Sequence, residues 1–151
     1  MRDGHGGVTV GSEISGGVRN VFAENCRMDS PRLDNALRIK NNAMRGGLIE
    51  NIYVRNIQVG EVAQAGVTID DLYEEGASGK FVPVVRDVEV RNLTTKKAQY
   101  ALYLRGLKNA PIERVRLIDC TLDGVEKTNV VENVNELHLR NVRINGKVVE
   151  S

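Results

Sequence analysis

Four side chains in this sequence could do chemistry together: His5, Arg38, Lys40 and Tyr73. Arg38 and Lys40 are two residues apart, the strand period that puts both on one face while Leu37 and Ile39 face the other way. A guanidinium beside an ammonium makes a receptor for a carboxylate, the first as a planar fork and the second as a point charge. His5 stands between Gly4 and Gly6, which let a ligand or backbone come close and leave the imidazole uncrowded. Each feature has a plain alternative when taken singly: a solvated face for the cations, a turn residue for the histidine. Converging on one groove they suit an acidic sugar, with cations for its carboxylate and an aromatic for its ring face.

Such convergence needs a fold that brings distant residues to one face, and an internal repeat supplies it. The repeat reads apolar, any, polar, apolar, any, apolar, any, Asn or Asp, apolar. Its copies start at Val18, Ile49, Val85, Ile112 and Val134 and reach Asn25, Asn56, Asn92, Asp119 and Asn141. Apolar residues alternate with period two on each side of the Asn/Asp, a strand signal. At that position the chain is predicted to bend, since Asn and Asp tolerate the left-handed conformation. The starts are 31, 36, 27 and 22 residues apart. That spread excludes a tight hexapeptide solenoid and suits coils of three walls interrupted by loops. The five Asn/Asp residues would then stack as a bonded column. A second strand family forms the third wall: Val8-Thr9-Val10, Leu37 to Lys40, Val67 to Asp70 and Leu102 to Arg105. An antiparallel sandwich with Asn-rich turns is the competing fold, but it has no reason to repeat one pattern.

The phase of the four residues follows the coils. His5 lies 13 residues before its copy start, Arg38 and Lys40 11 and 9 before theirs, and Tyr73 12 before its own. Stacked coils would carry them into one column on three successive turns.

Composition narrows the partners. Across 151 residues the 21 Lys and Arg nearly cancel the 20 Asp and Glu, and a net charge of +1 gives no reason to expect nucleic acid or an anionic membrane. No apolar run approaches the length of a membrane span, and the opening residues show no signal peptide. With aromatics at 4%, the core must be aliphatic. Cys26 and Cys120 lack metal-ligand spacing and are read as free buried thiols, three coils apart. No metal or organic cofactor is expected. The longest loop, residues 74 to 83, is Gly-rich and charged, a composition common beside clefts. His138 is read as a solvated outward residue.

The motifs also carry a resemblance. Gly4-His5-Gly6 with Val8-Thr9-Val10-Gly11-Ser12, then Arg38-Ile39-Lys40 one coil later, resembles glycoside hydrolase family 28, the polygalacturonases. That family is marked in order by Asn-Thr-Asp, Gly-Asp-Asp, Gly-His-Gly and Arg-Ile-Lys. The segment from Asp71 to Gly76 is similar to the one bearing its substrate-contacting tyrosine. The resemblance implies an all-β, right-handed, single-stranded parallel β-helix of the pectin-lyase-like kind. It implies inverting hydrolysis of the α-1,4-galacturonosyl linkages of pectin, in a parent secreted or periplasmic. His5 would contact the catalytic carboxylates or the scissile oxygen. Arg38 and Lys40 would hold a galacturonate carboxylate, and Tyr73 would touch the sugar.

The first two motifs, which supply the acids in that family, do not occur in this sequence. Residues 1–151 are therefore expected to be the C-terminal coils of an N-terminally truncated glycosidase domain, inactive alone. Met1 would be an internal methionine or the start of a shortened reading frame. The expected partners are pectic polysaccharide or galacturonate oligomers, together with self-association through a bare first coil. A non-catalytic β-helix, carbohydrate-binding or structural, is the competing function. A pectate lyase is the third, and would need calcium held by acidic clusters.

Overall fold

A computed structural model describes residues 1–73 and 78–150. Among these residues the regular structure is all strand. The first sheet stacks β1 (Val8–Val10), β3 (Asn35–Lys40), β5 (Ala65–Asp70), β7 (Tyr100–Arg105) and β9 (Val130–Glu132). The second runs β2 (Val18–Met28), β4 (Leu48–Glu61), β6 (Val84–Lys97), β8 (Ile112–Leu122) and β10 (Val134–Ile144), with β11 (Lys147–Val149) at its end. Every pairing within these two stacks is parallel except that of β10 with β11. Chain order alternates between the sheets, so each coil contributes one strand to each wall. The architecture is a right-handed parallel β-helix, and the antiparallel sandwich is excluded.

Register follows the repeat. Val18 pairs with Ile49, Ile49 with Val85, Arg86 with Glu113 and Ile112 with Val134. The second strand family is likewise in step, with Val8 beside Leu37, Leu37 beside Val67 and Val67 beside Leu102. A one-residue slip would turn every inward Ile, Leu and Val to solvent, so burial sets the register. Ile52, Val88, Val115, Leu37, Val67 and Leu102 are buried in one continuous aliphatic core.

The walls before and after the Asn/Asp column form one hydrogen-bonded sheet, folded along two lines rather than the one predicted. Asn25, Asn56, Asn92, Asp119 and Asn141 take left-handed φ values of 58°, 57°, 54°, 55° and 52°. Their amides bond along the stack: Asn56 Nδ2 donates to Asn25 Oδ1 at 3.2 Å, Asn92 to Asn56 at 2.9 Å, and Asn141 to Asp119 at 2.7 Å. The second line is Asn20, Asn51, Asp87, Arg114 and Glu136, also left-handed. Arg and Glu in that conformation conceal the bend from a reading based on Asn and Asp. Arg114 offsets its strain with a two-point bond to Asp87 at 2.8 and 3.0 Å, which holds the Asp87 carboxyl below its usual range.

The ends differ from the middle. Ile144-Asn145-Gly146-Lys147 turns β10 into β11, with φ of 51° and 79° at Asn145 and Gly146, a two-residue hairpin of the Asn-Gly kind. β11 lies along the last coil; Ser151 itself falls outside the described residues, as do residues 74 to 77 of the long loop. On the first coil, Val18, Val21, Ala23 and Cys26 are half-buried, whereas their partners Ile49, Ile52, Val54 and Ile57 are buried. Cys26 and Cys120 are free and stand in one column three coils apart. That is about 14 Å at ordinary strand spacing, twice the reach of a disulfide.

Candidate functional site

The outer face of the first sheet collects the polar residues of β1, β3, β5 and β7. Thr9, Arg38, Thr68 and Tyr103 form one column across it, and Lys40, Asp70 and Arg105 the next. Leu37 and Ile39 are buried behind Arg38 and Lys40, so both cations face out as predicted. Tyr73 follows β5 and brings its ring to them: Arg38 Cζ is 5.6 Å and Lys40 Nζ 4.9 Å from its centroid. Both distances suit cation–π attraction, which holds the two heads together despite their like charge.

His5 lies on the preceding coil, with its backbone against Arg38. Its segment pairs with the next one through Gly4, whose N–H donates to Arg32 O at 3.1 Å and whose carbonyl accepts from Asp34 N at 2.9 Å. Gly6 is needed at its position: a Cβ there would collide with Thr9 Oγ1 and come within 3.2 Å of Arg38 Cβ. The His5 carbonyl accepts from Asn35 Nδ2 at 3.2 Å and from Arg38 Nη1 at 3.5 Å. Its ring is 84% exposed and makes a 2.9 Å contact from Nδ1 to Asp34 Oδ2. An ionised carboxylate only accepts, so Nδ1 carries the proton and Nε2 is left for a ligand.

The side chains of Arg38, Lys40 and Tyr73 therefore meet on one face, and His5 is joined to Arg38 through its backbone carbonyl while its ring lies beside Asp34. Sequence reasoning misses the residues that hold them. Asp34 lies outside the acid-bearing motifs and is set aside on that ground, although it sits one coil after His5. Asn42 is not singled out either. Its Oδ1 accepts from Met44 N at 3.1 Å and Arg45 N at 2.9 Å, and its Nδ2 donates to Tyr73 O at 2.8 Å. With Asn41 O accepting from Tyr73 N at 3.3 Å, this turn pins the tyrosine from both sides. His138 is exposed, as expected.

Beyond Tyr73 the face continues as a groove of about 310 Å³, with Arg38, Lys40 and Tyr73 at one end and Tyr100 and Tyr103 at the other. Asp70 forms part of the wall and bonds Arg105 Nη2 at 2.8 Å. Next to it, Asp71 is fully buried, and neither of its carboxyl oxygens has a hydrogen-bond partner among the described residues. Burial first, and then the charge of Asp70, push its carboxyl up to about 7. Among the described residues no three His, Cys, Asp or Glu side chains are grouped to hold a metal ion.

The family model of the glycosyl hydrolases family 28 matches residues 1–143. A probable polygalacturonase of Vitis vinifera is 26% identical over 131 residues, covering 82% of this chain and 26% of that protein. An endo-polygalacturonase of Pectobacterium parmentieri is 29% identical over 136 residues, covering 87% of this chain and 31% of that one. The crystal structure of a hyperthermoactive exopolygalacturonase from Thermotoga maritima superposes with a TM-score of 0.89 at 36% identity, over 95% of this chain and 31% of that one. The chain thus spans between a quarter and a third of the length of these relatives.

Proposed function

Because this chain belongs to the glycosyl hydrolases family 28, we propose that it forms the carboxylate-binding side of a site that cleaves α-1,4-galacturonosyl linkages of pectin by inverting hydrolysis. The observation that carries this reading is the meeting of Arg38, Lys40 and Tyr73 on one outward face, with the His5 backbone bonded to Arg38. Arg38 and Lys40 hold the galacturonate carboxylate, and Tyr73 lies against the sugar. His5 presents Nε2 to the scissile oxygen or to a catalytic carboxylate, and Asp34 is a positioning residue that holds its tautomer. Inversion needs one carboxylic acid to protonate the leaving oxygen and a second carboxylate, across the ring, to activate water. Neither Asn-Thr-Asp nor Gly-Asp-Asp occurs in the sequence, so on this reading other coils of a longer protein supply both groups. That longer protein works on pectic polysaccharide outside the cell. Alone, this chain is a non-catalytic binding element, which is the second reading.

Two measurements on the purified chain test this. Galacturonate oligomers should bind in calorimetry, and Arg38→Ala should weaken them about tenfold to a hundredfold, the usual worth of a charge-assisted bond. Equal affinity for both proteins would remove Arg38 from the site. In a reducing-end assay on polygalacturonate the chain should give no more product than a His5→Ala, Arg38→Ala double variant. Turnover well above that variant would show that an acid and base are present after all.

The first coil is the proposed route of self-association. Among the described residues β1 and β2 each have a strand partner on one side only, and Val8, Val18, Val21, Ala23 and Cys26 are half-buried, although Val10 and Met28 are buried. An open strand edge of this kind templates pairing with a second copy. Sedimentation should show association rising through micromolar concentrations; a stable monomer at high micromolar concentration would show that the edge needs no cover.

A further inference from the structure

Asp71, Leu72 and Tyr73 follow β5 as a short strap, and the strap holds a carboxyl where none is expected. Asp71 N–H donates to Arg105 O at 2.9 Å, Leu72 N–H to Asp70 Oδ1 at 3.0 Å and Tyr73 N–H to Asn41 O at 3.3 Å. Leu72 packs on Ala43, Leu107 and Ala110 in a small apolar cluster. The last residue of the strap is the ring that lies against Arg38 and Lys40. The side chain of Asp71 is fully buried, and neither of its oxygens has a hydrogen-bond partner among the described residues. A carboxylate there would be cut off from solvent with no donor to meet it, so burial favours the neutral acid.

The charged groups on the surrounding elements give it no relief. Asp70, beside it on β5, repels a second negative charge. Arg105, at the end of β7, is bonded to Asp70 at 2.8 Å. Lys40, at the end of β3, brings its ammonium to the Tyr73 ring, and Arg45, in the turn beyond, reaches Glu13 at 3.8 Å. Lys80 and Lys108 are exposed. Lifting the strap would hydrate the carboxylate, and it would also take Tyr73 off the two cations. We propose that Asp71 is a positioning residue for Tyr73, holding the strap closed while its carboxyl keeps a proton and releasing it on ionising. The inference rests on the galacturonate reading of Arg38 and Lys40, because it makes the affinity of that site fall as pH rises. In the closed strap the carboxyl is raised from 3.8 to about 7, chiefly by burial. The closed form therefore has its full advantage below about pH 4. It loses about tenfold for each pH unit from there to about 7, and no more above that. A ligand that needs the closed strap is weakened by the fraction of the protein in which it is open.

The test is calorimetry with a galacturonate trimer at pH 4.5, 6 and 7.5, on the parent chain and on Asp71→Asn, which has nearly the same shape and nothing to ionise. The two proteins should bind alike at pH 4.5, and the variant about tenfold more tightly at pH 7.5, one pH unit's worth of the closed form's loss. His5 is present in both, so the ratio of affinities removes its share. Asp71→Ala should flatten the profile in the same way and guards against an effect peculiar to the amide. NMR of the ligand-free proteins gives a second readout. The ring signals of Tyr73 should move between pH 4.5 and 7.5 in the parent and stay in place in both variants. A purely structural role for Asp71 would change stability without moving the ring signals of the folded protein. An affinity ratio that is the same at every pH, or ring signals that move alike in parent and variants, overturns the proposal. Failure of all three proteins to bind the trimer, with the ring signals behaving as expected, overturns the galacturonate reading and supports the strap.

Discussion

Asp71→Asn is expected to remove most of the loss of stability that the protein suffers between pH 4 and pH 7. The carboxyl of Asp71 is raised from 3.8 to about 7, through burial first and the charge of Asp70 second. A raised carboxyl keeps its proton in the folded state over a range where the unfolded chain has released it. Its contribution is full below about pH 4, where both states are protonated. It declines as pH rises and is spent above about pH 7. The slope inside the window is up to about 1.4 kcal/mol per pH unit, so the loss by neutral pH is on the order of 4 kcal/mol. Asparagine has nearly the same shape and no proton to lose. The variant should therefore match the parent near pH 4 and exceed it by several kcal/mol near pH 7.5. Denaturant unfolding of both proteins at pH 4.5, 6 and 7.5 measures this. Asp87, whose carboxyl is lowered chiefly by its bond to Arg114, acts in the opposite sense, losing its contribution as pH falls. The difference between parent and variant removes that background. Parallel pH profiles would show that Asp71 is ionised without penalty in the fold.

Asp71 also marks where sequence reading stops. At the end of Val67-Thr68-Ile69-Asp70, alternation puts Asp70 outside, and it is there, bonded to Arg105. The next residue leaves the strand, so period two no longer says which way it points, and nothing in the sequence marks Asp71 as buried. The strand register, by contrast, was fully legible, because inward Ile, Leu and Val can be buried in one alignment only. The Asn/Asp bend was legible for a similar reason: few residue types accept a left-handed φ. Its companion bend was not, since Arg114 and Glu136 stand in it. β9 was missed because Val130 and Val131 stand side by side and break the alternation that marks Val8-Thr9-Val10. Asn145-Gly146 did carry a hairpin signature ahead of β11. At the site, residues that would touch a sugar announced themselves by type, as paired cations or a glycine-flanked histidine. Asp34 and Asn42 act through His5 and Tyr73, and nothing in their local sequence says so.

A solenoid should also differ in its response to the same substitution at different heights. Leu102 lies on β7 with strands on both sides, is fully buried, and belongs to the single aliphatic core. Leu137 faces the same core from β10 but is only half-buried, because the coil it belongs to is the last. Leu102→Ala removes three methyl-sized groups where walls on every side prevent collapse, so the lost transfer energy and the cavity add. A cost of about 3–5 kcal/mol follows, a large share of the stability of a chain this size. Leu137→Ala opens a space that solvent can fill, and should cost about 1 kcal/mol. The two variants remove the same atoms, so their difference reports position alone. Chemical denaturation gives both values. Equal costs would mean that the end coil is as tightly packed as the middle.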